Sequence, residues 1–117
     1  MNERLESNQF PYLPIRIEVR GRIHELQALV DTGFNGDVTV PPSVIGTAES
    51  PDWQLHGILA DGSRLALPAY HAEVRLGLHG PFQVSLVALG DEPTVGPRVT
   101  DRFLLILDHG RRVILEP

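Results

Sequence analysis

Between Ala28 and Pro42 the chain makes one abrupt change of character. An apolar run, Ala28-Leu29-Val30, ends on a carboxylate, Asp31. The chain then passes through Thr32-Gly33-Phe34-Asn35-Gly36-Asp37 and resumes as Val38-Thr39-Val40 before Pro41 and Pro42. A carboxylate at the end of an apolar strand is costly to bury without partners, so the following loop has to supply them. Gly33 and Gly36 free the backbone to fold beneath the acid. Thr32 adds a short hydroxyl that both donates and accepts. The same residue types also build ordinary β-turns, and taken alone the stretch reads equally well as a turn between two strands.

The flanking sequence predicts an all-β chain. Ile15, Ile17 and Val19 alternate with Arg16, Glu18 and Arg20, the pattern of a half-buried strand that turns at Gly21. Ile23 to Val30 returns as the second strand and delivers Asp31. Ser43 to Thr47 reads as one helical turn, followed by a loop from Glu49 to Asp52. Trp53 to Ala60 and Ser63 to Ala69 flank Asp61-Gly62, a strong hairpin signal. Pro68 is expected to push the second arm toward an edge or a bulge. Tyr70 to Leu78 and Phe82 to Leu89 alternate on either side of a turn at His79-Gly80-Pro81. A short helix is expected from Pro97 to Phe103, since proline suits a first helical position. Leu104 to Asp108 and Arg112 to Glu116 form a last hairpin around His109-Gly110-Arg111. A hairpin, a glycine-containing turn and a short helix thus occur early and again late, with no repeat in the sequence itself.

In this context the chain from about Pro14 to Leu115 resembles the retropepsin-like aspartic proteases, single-lobe relatives of pepsin. The residues carrying the resemblance are the strand Leu13 to Gly21, the second strand, Asp31-Thr32-Gly33 and the later Thr94-Val95-Gly96. Asp31-Thr32-Gly33-Phe34-Asn35-Gly36, followed by a strand and proline, is similar to a bacterial and archaeal branch of that clan. The resemblance implies an acid-protease barrel with a flap hairpin and one or two short helices. It implies that Asp31 is catalytic, that Thr32 holds paired loops together across a dimer axis, and that Gly33 orients the carboxylate. Phe34, Ala60, Asp61, Gly62 and Gly96 would contact substrate as flap and floor. An extended peptide would add between them as a strand. The viral relatives work as homodimers and interleave their N- and C-terminal strands. Two departures stand out: Pro97-Arg98-Val99 replaces a polar pair and Leu-Leu, and the flap is less rich in glycine.

The chemistry itself asks for a second chain. Aspartic-protease hydrolysis uses two carboxylates that share one proton and activate a water between them. This chain has one Asp-Thr-Gly, so a homodimer must supply the other about a twofold axis. A second reading keeps the fold without catalysis, as a dimer that binds peptide or protein partners; Phe34, bulky where viral enzymes have a small residue, would then fill the cleft. A third is a plain β-barrel interaction module.

Composition narrows the remaining choices. At 117 residues the chain is expected to form one domain over 13–117, after a flexible tail over 1–12 in which Phe10 and Tyr12 could dock on a neighbour. With no cysteine there is neither a disulfide framework nor a cysteine metal site. His24, His56, His71, His79 and His109 show no metal-ligand spacing, and no cofactor or metal is expected. A net charge of −5 argues against nucleic acid as a partner. No apolar run approaches membrane-spanning length, and the polar start lacks a signal-peptide pattern, so a cytoplasmic location is expected. Asp37, Asp91, Glu92, Asp101 and Asp108 read as turn, surface or capping groups. Ser43, Ser63 and Ser85 lack a nucleophile-elbow context.

Overall fold

The computed structural model describes residues 4–46, 50–58 and 61–117. Ten strands and two single-turn helices follow one another along these residues. The order is β1 (Leu5–Ser7), β2 (Tyr12–Val19), β3 (Arg22–Val30), β4 (Val38–Val40), α1 (Pro42–Ile45), β5 (Trp53–Ile58), β6 (Arg64–Leu76), β7 (His79–Ala88), β8 (Thr94–Val95), α2 (Pro97–Thr100), β9 (Leu104–Asp108) and β10 (Arg112–Glu116). This is the all-β barrel with short helices that the alternating pattern predicts.

Seven strands form the main sheet in the order β2-β3-β8-β4-β7-β6-β5, and a pairing of β2 with β6 closes it into a barrel. The alternation in β2 explains its place. Leu13, Ile15, Ile17 and Val19 are each at most 3 % exposed, while Arg16 and Glu18 face outward. Val38, Val40, Val74, Leu86 and Val95 meet them in one core. Fully burying a side chain of this size stabilises by roughly 1.5–3 kcal/mol, so this cluster is what holds the barrel shut.

Several boundaries differ from the sequence reading. The segment expected to be a flexible tail is structured from Leu5 onward. Leu5↔Leu115 and Ser7↔Val113 pair β1 with β10, Ser7 is buried, and Leu5 and Phe10 pack against the core. Tyr12, counted with that tail, opens β2 and donates its hydroxyl to Glu92 Oε1 at 2.7 Å. The arms expected as Ser63–Ala69 and Tyr70–Leu78 are one strand, β6. Pro68 interrupts nothing because it pairs only with Gln54, and β7 joins β6 at Ala69↔Val87. The turn expected at His79-Gly80-Pro81 falls earlier, at Gly77 and Leu78, where Gly77 takes up a positive φ of 61°. Leu78, expected to end the strand, lies in this turn and is 75 % exposed. The second helix closes after Thr100 rather than Phe103.

Candidate active site

Asp31 stands at the point where the sheet changes neighbours. β3 and β4 are consecutive in sequence, yet β8 lies between them. β3 runs parallel to β8 through Leu29↔Thr94 and Val30↔Val95, and β4 runs antiparallel to it through Val38↔Val95. The loop of residues 31–37 therefore has to cross over the end of β8. Both of its ends are tied there. The Asp31 N–H donates to the Val95 carbonyl at 3.0 Å, and the Gly96 N–H donates to the Asp37 carbonyl at 2.9 Å.

Within the loop, the Gly33 N–H donates to Asp31 Oδ1 at 2.9 Å. The Phe34 N–H donates back to the Asp31 carbonyl at 3.3 Å. The carboxylate is thus held by backbone from below and remains partly exposed, while Thr32 and Gly33 are exposed beside it. Gly96 is buried under the loop. A Cβ on Gly96 would stand 2.7 Å from Phe34 Cδ2 and 3.0 Å from the Phe34 carbonyl oxygen. A Cβ on Gly36 would likewise run into the Phe34 ring. The two glycines form a notch, and Phe34 lies in it. The Phe34 ring packs on its own loop and stays partly exposed.

Asp37, expected as a turn residue, has a larger part. Its Oδ2 accepts the Ser85 N–H of β7 at 2.7 Å, and its Oδ1 pairs with Arg98 Nε of α2 at 3.3 Å. One side chain, 16 % exposed, joins the loop to two other elements. Thr39 and Thr94 share a hydroxyl–hydroxyl bond between β4 and β8. The available signal was Thr39 itself: β4 is buried at every position, and a buried hydroxyl needs a partner. Nothing local marked Ser85 or Arg98.

The hairpin residues belong to other elements of the chain. Ala60 falls outside the described residues. Asp61 and Gly62 are exposed at the tip of the β5–β6 hairpin. Asp61 Oδ1 accepts the Ser63 N–H at 2.8 Å and the Ser63 hydroxyl at 2.6 Å, which lowers its pKa below the usual 3.8. Gly62 has a φ of 86°, the left-handed value such a tip requires. Among the described residues no group of three or more His, Asp or Glu side chains is arranged to hold a metal ion.

No family model matches the chain, and no curated protein matches it. Solved structures do. A crystal structure of a retropepsin-like aspartic protease from Rickettsia conorii superposes with a TM-score of 0.66 at 18 % identity, covering 99 % of this chain and 93 % of that one. The solution structure of the simian foamy virus (mac) protease gives a TM-score of 0.51 at 20 % identity, covering 73 % of this chain and 88 % of that one. The fold is retropepsin-like.

Proposed function

We propose that the protein is a homodimeric aspartic endopeptidase of the bacterial and archaeal type that its loop sequence resembles. The observation that carries this reading is the Asp31 carboxylate, held by the Gly33 N–H, partly open to solvent, on a loop braced over β8 and Gly96. In the dimer two such loops face each other across the twofold axis. The two Asp31 carboxylates hold one proton between them, because adjacent like charges oppose double ionisation. The ionised partner takes a proton from a water, whose oxygen attacks the scissile carbonyl. The protonated partner donates a hydrogen bond to the carbonyl oxygen as charge develops on it. Proton transfer to the leaving nitrogen then completes C–N cleavage and restores the pair.

Thr32 braces the paired loops, and Phe34 lines the floor with Gly96 supporting it from beneath. The hairpin tip at Ala60, Asp61 and Gly62 closes over an extended peptide, which adds as a strand. The likeness of the fold to two proteases supports this assignment.

The test is Asp31→Asn, which keeps the shape and removes the acid. Cleavage of an unfolded protein or a peptide library is expected to fall at least about 10³-fold, while sedimentation still shows a dimer. Undiminished cleavage by the variant would overturn the assignment. Peptide binding by wild type without any cleavage would favour the non-catalytic dimer.

A further inference from the structure

The sheet β1-β10-β9 has two outer edges, and they are finished differently. Toward β1, charge covers the outward face. Arg4 bridges Glu6 at 2.8 Å and Glu116 at 3.4 Å, and Arg112 bridges Glu6 at 3.3 Å and Asp108 at 2.6 Å. Beneath these pairs Ile114 is only 2 % exposed. The β9 edge has the sequence Leu104-Leu105-Ile106-Leu107-Asp108. Its one charge is the terminal Asp108, already paired with Arg112, and it has no proline or bulge, so it has few of the devices by which edge strands avoid pairing with another chain. Leu104 is 56 % and Leu107 50 % exposed there.

We propose that β9 pairs antiparallel with β9 of a second copy of this chain, about a twofold axis through Ile106, giving one six-stranded sheet across the dimer. The inference rests on the reading that the site needs two copies of Asp31. Topology selects the edge. β10 already has β1 on one side and β9 on the other, both from its own chain, so no partner strand can enter between them. This departs from the interleaved termini of the viral enzymes. Register selects the axis, since only pairing centred on Ile106 uses all five residues of β9. It sets Leu105 opposite the partner's Leu107, twice, on the side of the sheet that carries Val113 and Leu115. The half-exposed Leu107 then gains an apolar cross-strand neighbour. The same surface serves both copies, as a closed twofold contact requires. The other bare edge, β5, belongs to the hairpin assigned to substrate.

Two variants of the full chain test the pairing. Leu107→Lys places a charge on a side chain already half exposed, so the monomer should keep its circular dichroism spectrum. The dimer dissociation constant is expected to rise about tenfold or more by sedimentation. Ile106→Cys, in a chain without cysteine, is expected to give a disulfide-linked dimer on mild oxidation, while Ile58→Cys on β5 gives none. A Leu107→Lys dimer of unchanged affinity, or efficient cross-linking through Ile58→Cys instead, overturns the β9 pairing. If wild type then still cleaves and Asp31→Asn does not, the protease assignment survives that failure. A wild-type dimer that cross-links through Ile106→Cys and cleaves nothing keeps the interface and overturns the assignment. A wild-type monomer at every concentration overturns both.

Discussion

A side chain at position 96 would have to occupy space held by the Gly36 carbonyl and the Phe34 ring. Gly96→Ala is therefore expected to destabilise by about 1–3 kcal/mol in urea unfolding, through overpacking. Gly57→Ala is the matched control: nothing lies within 4 Å of a Cβ there, and stability should hardly change. Asp37→Ala strands the Ser85 N–H and releases Arg98, and it should cost about 1–3 kcal/mol. Asp37→Asn keeps an acceptor for Ser85 and should cost less, measured in the same unfolding series. Asp52 offers a pH test. The His71 N–H, donated at 2.8 Å, and then Arg20 hold its carboxyl below the usual 3.8. A depressed carboxyl supports the fold above its ordinary value, and that support is lost as pH falls through the lower folded value. Asp52→Asn should thus flatten the acid limb of melting temperature against pH below about 4. At this scale the sequence announces Asp31 and Gly33, because a strand ending on a carboxylate demands backbone donors. It hides Asp37, since an aspartate in a glycine-rich loop has the composition of any turn and its partners lie far along the chain.

Elements were legible wherever a turn residue was forced. His109 and Gly110 both take positive φ, 52° and 68°, and the β9–β10 hairpin lies where the sequence places it. The β6–β7 turn was displaced because three glycine or proline positions, Gly77, Gly80 and Pro81, compete within five residues, and only packing chooses among them. Pro68 sits within the continuous β6 because the strand there is paired on one side only, the edge setting that proline tolerates. Its consequence is a gradient of protection. β6 from Ala69 to Leu76 carries buried residues and lies between neighbours, whereas β5 is an edge strand with no fully buried side chain. In hydrogen exchange the paired amides of Trp53–Ile58 should open well before those of Ala69–Leu76. Equal protection along the whole hairpin would contradict this ordering.

The molecule as a whole is broad and thin, 42 × 35 × 20 Å. Its radius of gyration of 14.4 Å exceeds the about 13.4 Å of a compact chain this long, in keeping with a hairpin that stands away from the barrel. At this scale the proposed chemistry predicts a bell-shaped rate against pH, bounded by the two titrations of the shared pair. The optimum should lie on the acidic side. Dimer fraction and cleavage rate measured over one pH series separate loss of the pair's proton from loss of assembly. A rate that keeps rising into the alkaline range with the dimer intact would contradict a shared proton. The hairpin adds a mechanical consequence. Its base is stapled: the Asp52 N–H donates to the Ala69 carbonyl, the Asp52 carboxylate accepts the His71 N–H, and the Trp53 ring lies 4.7 Å from that of His71. Among the described residues from Arg64 to Pro68, the strand pairings join the two arms only to each other. That is a cantilever about 20 Å long, clamped at one end. A pivot of about 10° at the clamp sweeps the Asp61-Gly62 tip through about 3.5 Å with every inter-arm hydrogen bond intact. The bending stiffness of such a lever is set at its root, so Trp53→Ala should loosen the tip without touching it.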